Sequence, residues 1–190
     1  QQPPYYFLFK QVTWAAIGLC VLSVAMRTDY RILKQPMVIW TALGVCTVAL
    51  VLVFFFPVVN GTRRWFSLGG IGVQPSELAK VAVIIYTASL LERRMDAIDR
   101  VAYALGPIVL VTGVICGLIV LEPDFGTAFT VLTIVGVMVF AAGLHYRYVI
   151  GLVLVMAPLL FVVLASAEYR RRRILAFLDP YADPLGDGFQ

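Results

Sequence analysis

The chain has 190 residues, 61% hydrophobic and 14% charged, with a formal net charge of +4. A soluble domain is roughly 45–50% apolar and about 25% charged, so this composition, with a mean hydropathy of +0.91, excludes a water-soluble globular protein and predicts an integral membrane one. The apolar runs are continuous rather than alternating, which excludes transmembrane β-strands.

Hydrocarbon offers backbone groups no hydrogen-bond partner, so apolar runs of about 20 residues have to be spanning helices. Six such runs follow one another at 12–26, 37–59, 78–91, 101–121, 127–143 and 148–166. The first is extended by 5–11 and the third by 75–77. The expectation is an all-α, polytopic helical bundle with six spans, forming one partial transmembrane domain over 1–190. Cys20, Cys46 and Cys116 fall inside the runs and read as small packing residues, with no disulfide or metal pattern. The first residues have neither a basic region nor a small-residue cleavage site, so no signal peptide is expected. The abrupt start, and an end inside the turn-rich Gly188-Phe189-Gln190, predict a fragment of a larger polytopic protein.

With six spans, loops 27–36, 92–100 and 144–147 share one side, and 60–76, 122–126 and 167–190 the other. Lysine and arginine accumulate on the cytoplasmic side. Here Arg27, Arg31, Lys34, Arg93, Arg94, Arg100 and Arg147 balance Lys10, Arg63, Arg64 and Arg170 to Arg173. The tie does not orient the chain. It does show that one side gathers its arginines into two loops, as a phosphate-bearing ligand or simple interfacial snorkelling would require.

In loop 60–76, Trp65 and Phe66 suit the headgroup level. Pro75 suits a helix start, with Ser76 as its cap. Glu77 and Lys80, one turn apart, can pair on one helix face, either fixing the packing of helices or lining a polar cavity. At Glu122-Pro-Asp-Phe-Gly-Thr127, Pro123 and Gly126 make a tight turn and Asp124 with Thr127 caps the next helix. Glu122 has no local role and is free to meet an arginine of another loop. His145, the single histidine, reads as an interfacial side chain, and the mixed-charge segment 92–100 as a solvated loop. In the tail, Arg170 to Arg173 precede Asp179, Asp183 and Asp187, and the intervening prolines and glycines forbid a continuous helix. Arginines there can bind phosphate, and a carboxylate can serve as a base or metal ligand.

Asn60-Gly-Thr-Arg-Arg-Trp65, Gln74-Pro-Ser-Glu-Leu-Ala-Lys80, Glu122-Pro-Asp-Phe-Gly-Thr127 and the segment from Arg172 to Gln190 resemble, in order and spacing, the SEDS (shape, elongation, division, sporulation) family of bacterial cell-wall proteins, which includes FtsW and RodA. The resemblance implies about ten transmembrane helices in the full-length protein, of which this chain would hold the second to seventh and the start of the large following loop. It implies residence in the bacterial cytoplasmic (inner) membrane, with 60–76 and 167–190 as extracytoplasmic loops.

The implied activity is that of a peptidoglycan glycosyltransferase, polymerising lipid II in cell division or elongation. The implied partners are a class B penicillin-binding protein and other divisome or elongasome membrane proteins, without nucleic acid. Carried onto this sequence, the family's loop aspartate is Asp183, the catalytic base of an inverting transfer, with Asp179 in reserve. Arg64 is the first candidate to contact the lipid pyrophosphate, and Arg172 and Arg173 the second. Glu77 and Lys80 match the family's Glu-x-x-Lys and are candidate substrate-binding residues. Asp187 stands where the family usually has serine, and Tyr181 where tryptophan is common. No cofactor is certain, and whether a divalent cation, magnesium or manganese, is needed and held by Asp183 and Asp187 stays open. The alternatives are a lipid II flippase and a non-catalytic scaffold that activates the penicillin-binding protein.

Overall fold

The computed structural model describes residues 4–57, 62–68, 71–97, 100–148, 150, 151 and 154. Helix α1 (Pro4–Arg27) takes in the first apolar run and its extension, and none of Leu8–Arg27 is buried against protein. A 3-10 turn, Tyr30–Lys34, follows, its start capped by the Asp29 carboxylate accepting the Arg31 N–H. Pro36 opens α2 (Pro36–Leu52) at a position where its missing N–H costs nothing. The apolar run reaches 59, yet α2 ends at Leu52 and tightens into a 3-10 turn, Val53–Phe55. Phe56 is extended (φ −88°, ψ 160°) because it precedes Pro57, and a residue before proline is kept out of the helical region.

Strands β1 (Phe66–Leu68) and β2 (Ile71–Val73) form an antiparallel hairpin with Phe66 opposite Val73, inside what the sequence marks only as a loop. Helix α3 (Pro75–Arg94) runs three residues beyond the expected 91. Its N-cap is Gln74, which makes no side-chain cap bond, and Ser76 is not the cap expected of it. Proline at the first helical position puts the cap one residue before itself, so Ser76 is already inside the helix. It is buried there, and its hydroxyl has no hydrogen-bond partner among the described residues.

After a 3-10 turn, Met95–Ala97, helix α4 (Val101–Leu121) has the expected bounds, and α5 (Phe125–Ala141) lies two residues earlier than expected. Asp124 caps α5 at one end. At the other, Gly143 (φ 101°) donates to the Phe140 carbonyl and Leu144 to that of Val139, the paired bonds with which a left-handed glycine stops a helix. Residues 1–138 and 139–190 form two compact units. In the second, 146–148 are helical, and most of the sixth apolar run lies outside the described residues.

The core of the first unit is made by α2, α3 and α4, which pack on one another. Ile39, Leu43, Cys46 and Leu50 on α2 recur at helical spacing and are buried, as are Ala79, Ala82, Val83 and Tyr86 on α3. From α4 come Ala104, Ile108, Ile115 and Ile119. The small residues of α3 let its neighbours approach closely, as membrane helix packing favours. The opposite faces carry exposed Met37, Trp40, Val48, Val109 and Leu110. Helices α2 and α4 are apolar all round, which suits an element with protein on one side and lipid on the other. Leu8–Arg27, Pro36–Phe55 and Ala102–Leu121 are each long and apolar enough to cross a membrane, and Phe125–Ala141 is a shorter apolar helix. The fold is thus an all-α membrane bundle.

Candidate functional site

At one end of the first unit, loop 62–74 is tied to the α4–α5 turn. Asp124, 7% exposed, is the knot. One carboxylate oxygen accepts the Thr127 N–H (3.3 Å) and pairs with Arg64 Nη1 (3.5 Å). The other accepts from Gln74 Nε2 (2.7 Å) and the Thr127 hydroxyl (2.8 Å). Both oxygens are engaged, so Asp124 caps α5 and anchors the loop. Arg64 is further held by Nε donating to the Thr62 hydroxyl (3.0 Å). Arg63 donates instead to the Phe54 carbonyl (2.9 Å), in the 3-10 turn that follows α2. Phe56 and Phe66 meet edge to face at 4.7 Å. Gly72 passes so close to Trp65 that a Cβ there would lie 3.3 Å from the indole, a proximity that only glycine tolerates without moving the ring.

Glu122 lies two residues before Asp124 and is 1% exposed. The sequence leaves it free to meet an arginine of another loop. Arg64 instead pairs with Asp124, and neither Glu122 oxygen has a hydrogen-bond partner among the described residues. Burial pushes its carboxyl up to about 7, the Asp124 charge pushes the same way, and Arg64 opposes both. Glu122 therefore keeps its proton to a higher pH than an ordinary carboxyl, beside the Arg64–Asp124 ion pair.

Glu77 and Lys80 pair at 2.9 Å on the first turns of α3, immediately after Gln74, with Glu77 largely exposed and Lys80 half-buried. Asp183, Asp179, Asp187, Arg172 and Arg173 lie outside the described residues. Sequence reasoning missed two things here. Gln74 was quoted only as the start of a motif, and its contact with Asp124, 50 residues away, has no local signal. The segment 92–100, read as merely solvated, is engaged: Glu92 pairs with Lys34 at 2.6 Å and Arg93 Nη2 donates to the Lys34 carbonyl at 3.0 Å. Among the described residues no group of three or more histidines, cysteines or carboxylates is gathered as for a metal ion.

An apolar bundle with an arginine–carboxylate knot at one end of its helices defines the class, a polytopic helical membrane protein with a built polar site. The family model for cell cycle proteins of the FtsW/RodA/SpoVE type matches residues 1–190, and the chain belongs to that family. It is 40% identical over 190 residues to a probable peptidoglycan glycosyltransferase FtsW of Geobacter sp. (strain M18), covering 98% of this chain and 51% of that protein. It is 37% identical to the similarly named protein of Legionella pneumophila, covering 98% and 48%.

Among solved structures it superposes on a chain from work on the structural coordination of polymerization and crosslinking by a peptidoglycan synthase complex. There the TM-score is 0.78 at 36% identity, covering 99% of this chain and 55% of that one. The Rod shape determining protein RodA of Thermus thermophilus gives a TM-score of 0.67 at 31% identity, covering 83% and 51%. The chain spans about half the length of the curated relatives it matches.

Proposed function

We propose that the protein to which this chain belongs is a peptidoglycan glycosyltransferase that polymerises lipid II at the outer face of the cytoplasmic membrane, alongside a class B penicillin-binding protein. The observation that carries this reading is the setting of Arg64. Its Nε and Nη1 are held by Thr62 and Asp124, its side chain stays 30% exposed, and Nη2 makes no hydrogen bond among the described residues. A guanidinium pinned in this way presents free N–H groups to an anion without having to be ordered first, which favours a phosphate ligand.

In the proposed reaction the C4 hydroxyl of the acceptor sugar attacks the anomeric carbon of the donor. The new C–O bond forms as the bond to the polyprenyl pyrophosphate breaks, α becomes β, and the hydroxyl proton passes to Asp183. Arg64, with Arg172 and Arg173, takes the developing charge of the leaving group. The names of the relatives support the reaction class, and the synthase complex supports pairing with a cross-linking partner.

The test is glycan polymerisation from lipid II by the full-length protein with its penicillin-binding partner, with and without a chelator. Asp183→Ala is expected to abolish polymerisation while lipid II binding persists, and Arg64→Gln to weaken binding itself. Polymer formed at the wild-type rate by Asp183→Ala overturns the base assignment and leaves the flippase or scaffold reading. Loss of polymer on chelation alone assigns a divalent cation, magnesium or manganese, to the site.

A further inference from the structure

At the other end of α3 is a second built feature that the proposed reaction does not use. A cavity of about 240 Å³ opens between α2, α3 and α4, walled by Trp40, Tyr86, Leu90 and Pro107, with Arg93 and Arg94 among its lining residues. Seventeen residues of α3 separate Glu77 from Arg94, about 25 Å of helix axis at 1.5 Å per residue, so this cavity is remote from the Arg64–Asp124 knot. From the arginines to Tyr86 it extends two turns along α3, about 10 Å. An engineered apolar cavity of roughly 150 Å³ already accepts benzene, so this one has room for a stretch of hydrocarbon.

The charges at its mouth are arranged for an anion. Lys34 is neutralised by Glu92 at 2.6 Å, whereas Arg93 and Arg94 have no carboxylate within ion-pair distance among the described residues. Neither guanidinium is loose. Arg93 donates one N–H to the Lys34 carbonyl, and Arg94 donates one to the Tyr103 carbonyl while stacking 4.2 Å over the Tyr103 ring. Both keep further N–H groups, donors of the kind that suit phosphate oxygens. Trp40 is 60% exposed on the face of α2, its ring tilted against that of Tyr86 with centroids 5.8 Å apart, so the cavity opens onto the exposed apolar face of α2.

We infer that this cavity binds an anionic phospholipid, its phosphate on Arg93 and Arg94 and part of one acyl chain between Trp40, Tyr86, Leu90 and Pro107. Two arginines alone would accept any phosphate. The apolar walls directly beneath them commit the site to a phosphate that carries hydrocarbon, and basic pockets between spanning helices are suited to such headgroups.

The probe is phosphatidylglycerol with a photoreactive diazirine in its acyl chain, carried as a minor component of phosphatidylcholine nanodiscs holding the full-length protein. An equally labelled phosphatidylcholine serves as control. The phosphatidylglycerol probe is expected to label peptides containing Trp40 and Tyr86 to Leu90 well above the control. Each of Arg93→Gln and Arg94→Gln should reduce that excess about five-fold, with labelling by the control unchanged. Arg93→Gln leaves the Arg94–Tyr103 contacts in place, so it keeps the test readable if Arg94→Gln misfolds. Equal labelling by the two probes, an excess that survives both substitutions, or an excess abolished by inorganic phosphate each overturns the proposal, the last in favour of a free-anion site.

Discussion

Glu122 has the least local reason to be where it is. A carboxylate with no hydrogen-bond partner among the described residues is expensive when ionised and tolerable when protonated, and burial accordingly raises its pKa to about 7 from the ordinary 4.5. The sign of the linkage follows. Below about pH 4.5 the folded and unfolded chains both carry the proton, and between 4.5 and 7 the folded chain keeps a proton that the unfolded chain has lost. Stability is therefore lost as pH rises through that window, by a total on the order of 3 kcal/mol, and the full penalty persists above it. Glu122→Gln, which keeps the shape and removes the charge, should flatten this part of the pH profile and raise the apparent unfolding temperature in detergent at pH 8. An unchanged profile between pH 4.5 and 7 would count against a titrating Glu122.

Among the elements, the turn between α4 and α5 does two jobs with one residue. Asp124 caps α5, as the sequence already indicates from its spacing to Thr127, and it also receives Gln74 and Arg64 from a loop 50 to 60 residues earlier. Asp124→Ala removes a cap worth about 1 kcal/mol and takes the acceptor from two part-buried donors, Gln74 and Arg64, for a combined cost of roughly 2 kcal/mol. The damage should be local. Amide hydrogen exchange is expected to speed up across 62–74 and the first turn of α5, while Leu43 to Leu50 in α2 stays protected. Asp124→Asn, which keeps one acceptor oxygen, should fall between. Exchange in 62–74 that does not respond to either variant would show that the Phe56–Phe66 contact and Arg63 hold the loop unaided.

At the scale of the whole molecule, neighbouring apolar residues in one helix have opposite fates. On α4, Ile115 is 2% exposed in the α2–α3–α4 core and Val114 is 53% exposed. Ile115→Ala should lower stability by roughly 2–4 kcal/mol, because the cavity it leaves loses packing that nothing replaces. Val114→Ala should cost under about 0.5 kcal/mol, since lipid or detergent fills the gap. Apparent unfolding temperatures in one detergent check the pair, and equal losses would contradict the assignment of faces. Hydropathy made four of the five described helices legible to within about three residues at each end, whereas α2, expected to reach 59, stops at Leu52, short of Pro57.

The faces of those helices were not legible. In a soluble protein the apolar stripe names the buried side, but in hydrocarbon both sides are apolar and periodicity carries no such information. The polar site divides in the same way. Arg64, Glu77, Lys80 and the cap at Asp124 stood out as charges or caps in an apolar chain, because each is costly there without a purpose. The sequence by itself thus determined that this is a membrane bundle, where most of its helices begin and end, and which charges need explaining. Only the tertiary structure decided that Arg64 chooses Asp124 over Glu122, that Gln74 completes the knot, and that Arg93 and Arg94 guard a cavity. Partner choice across 50 or more residues depends on how helices pack, and that is set by contacts no local pattern encodes.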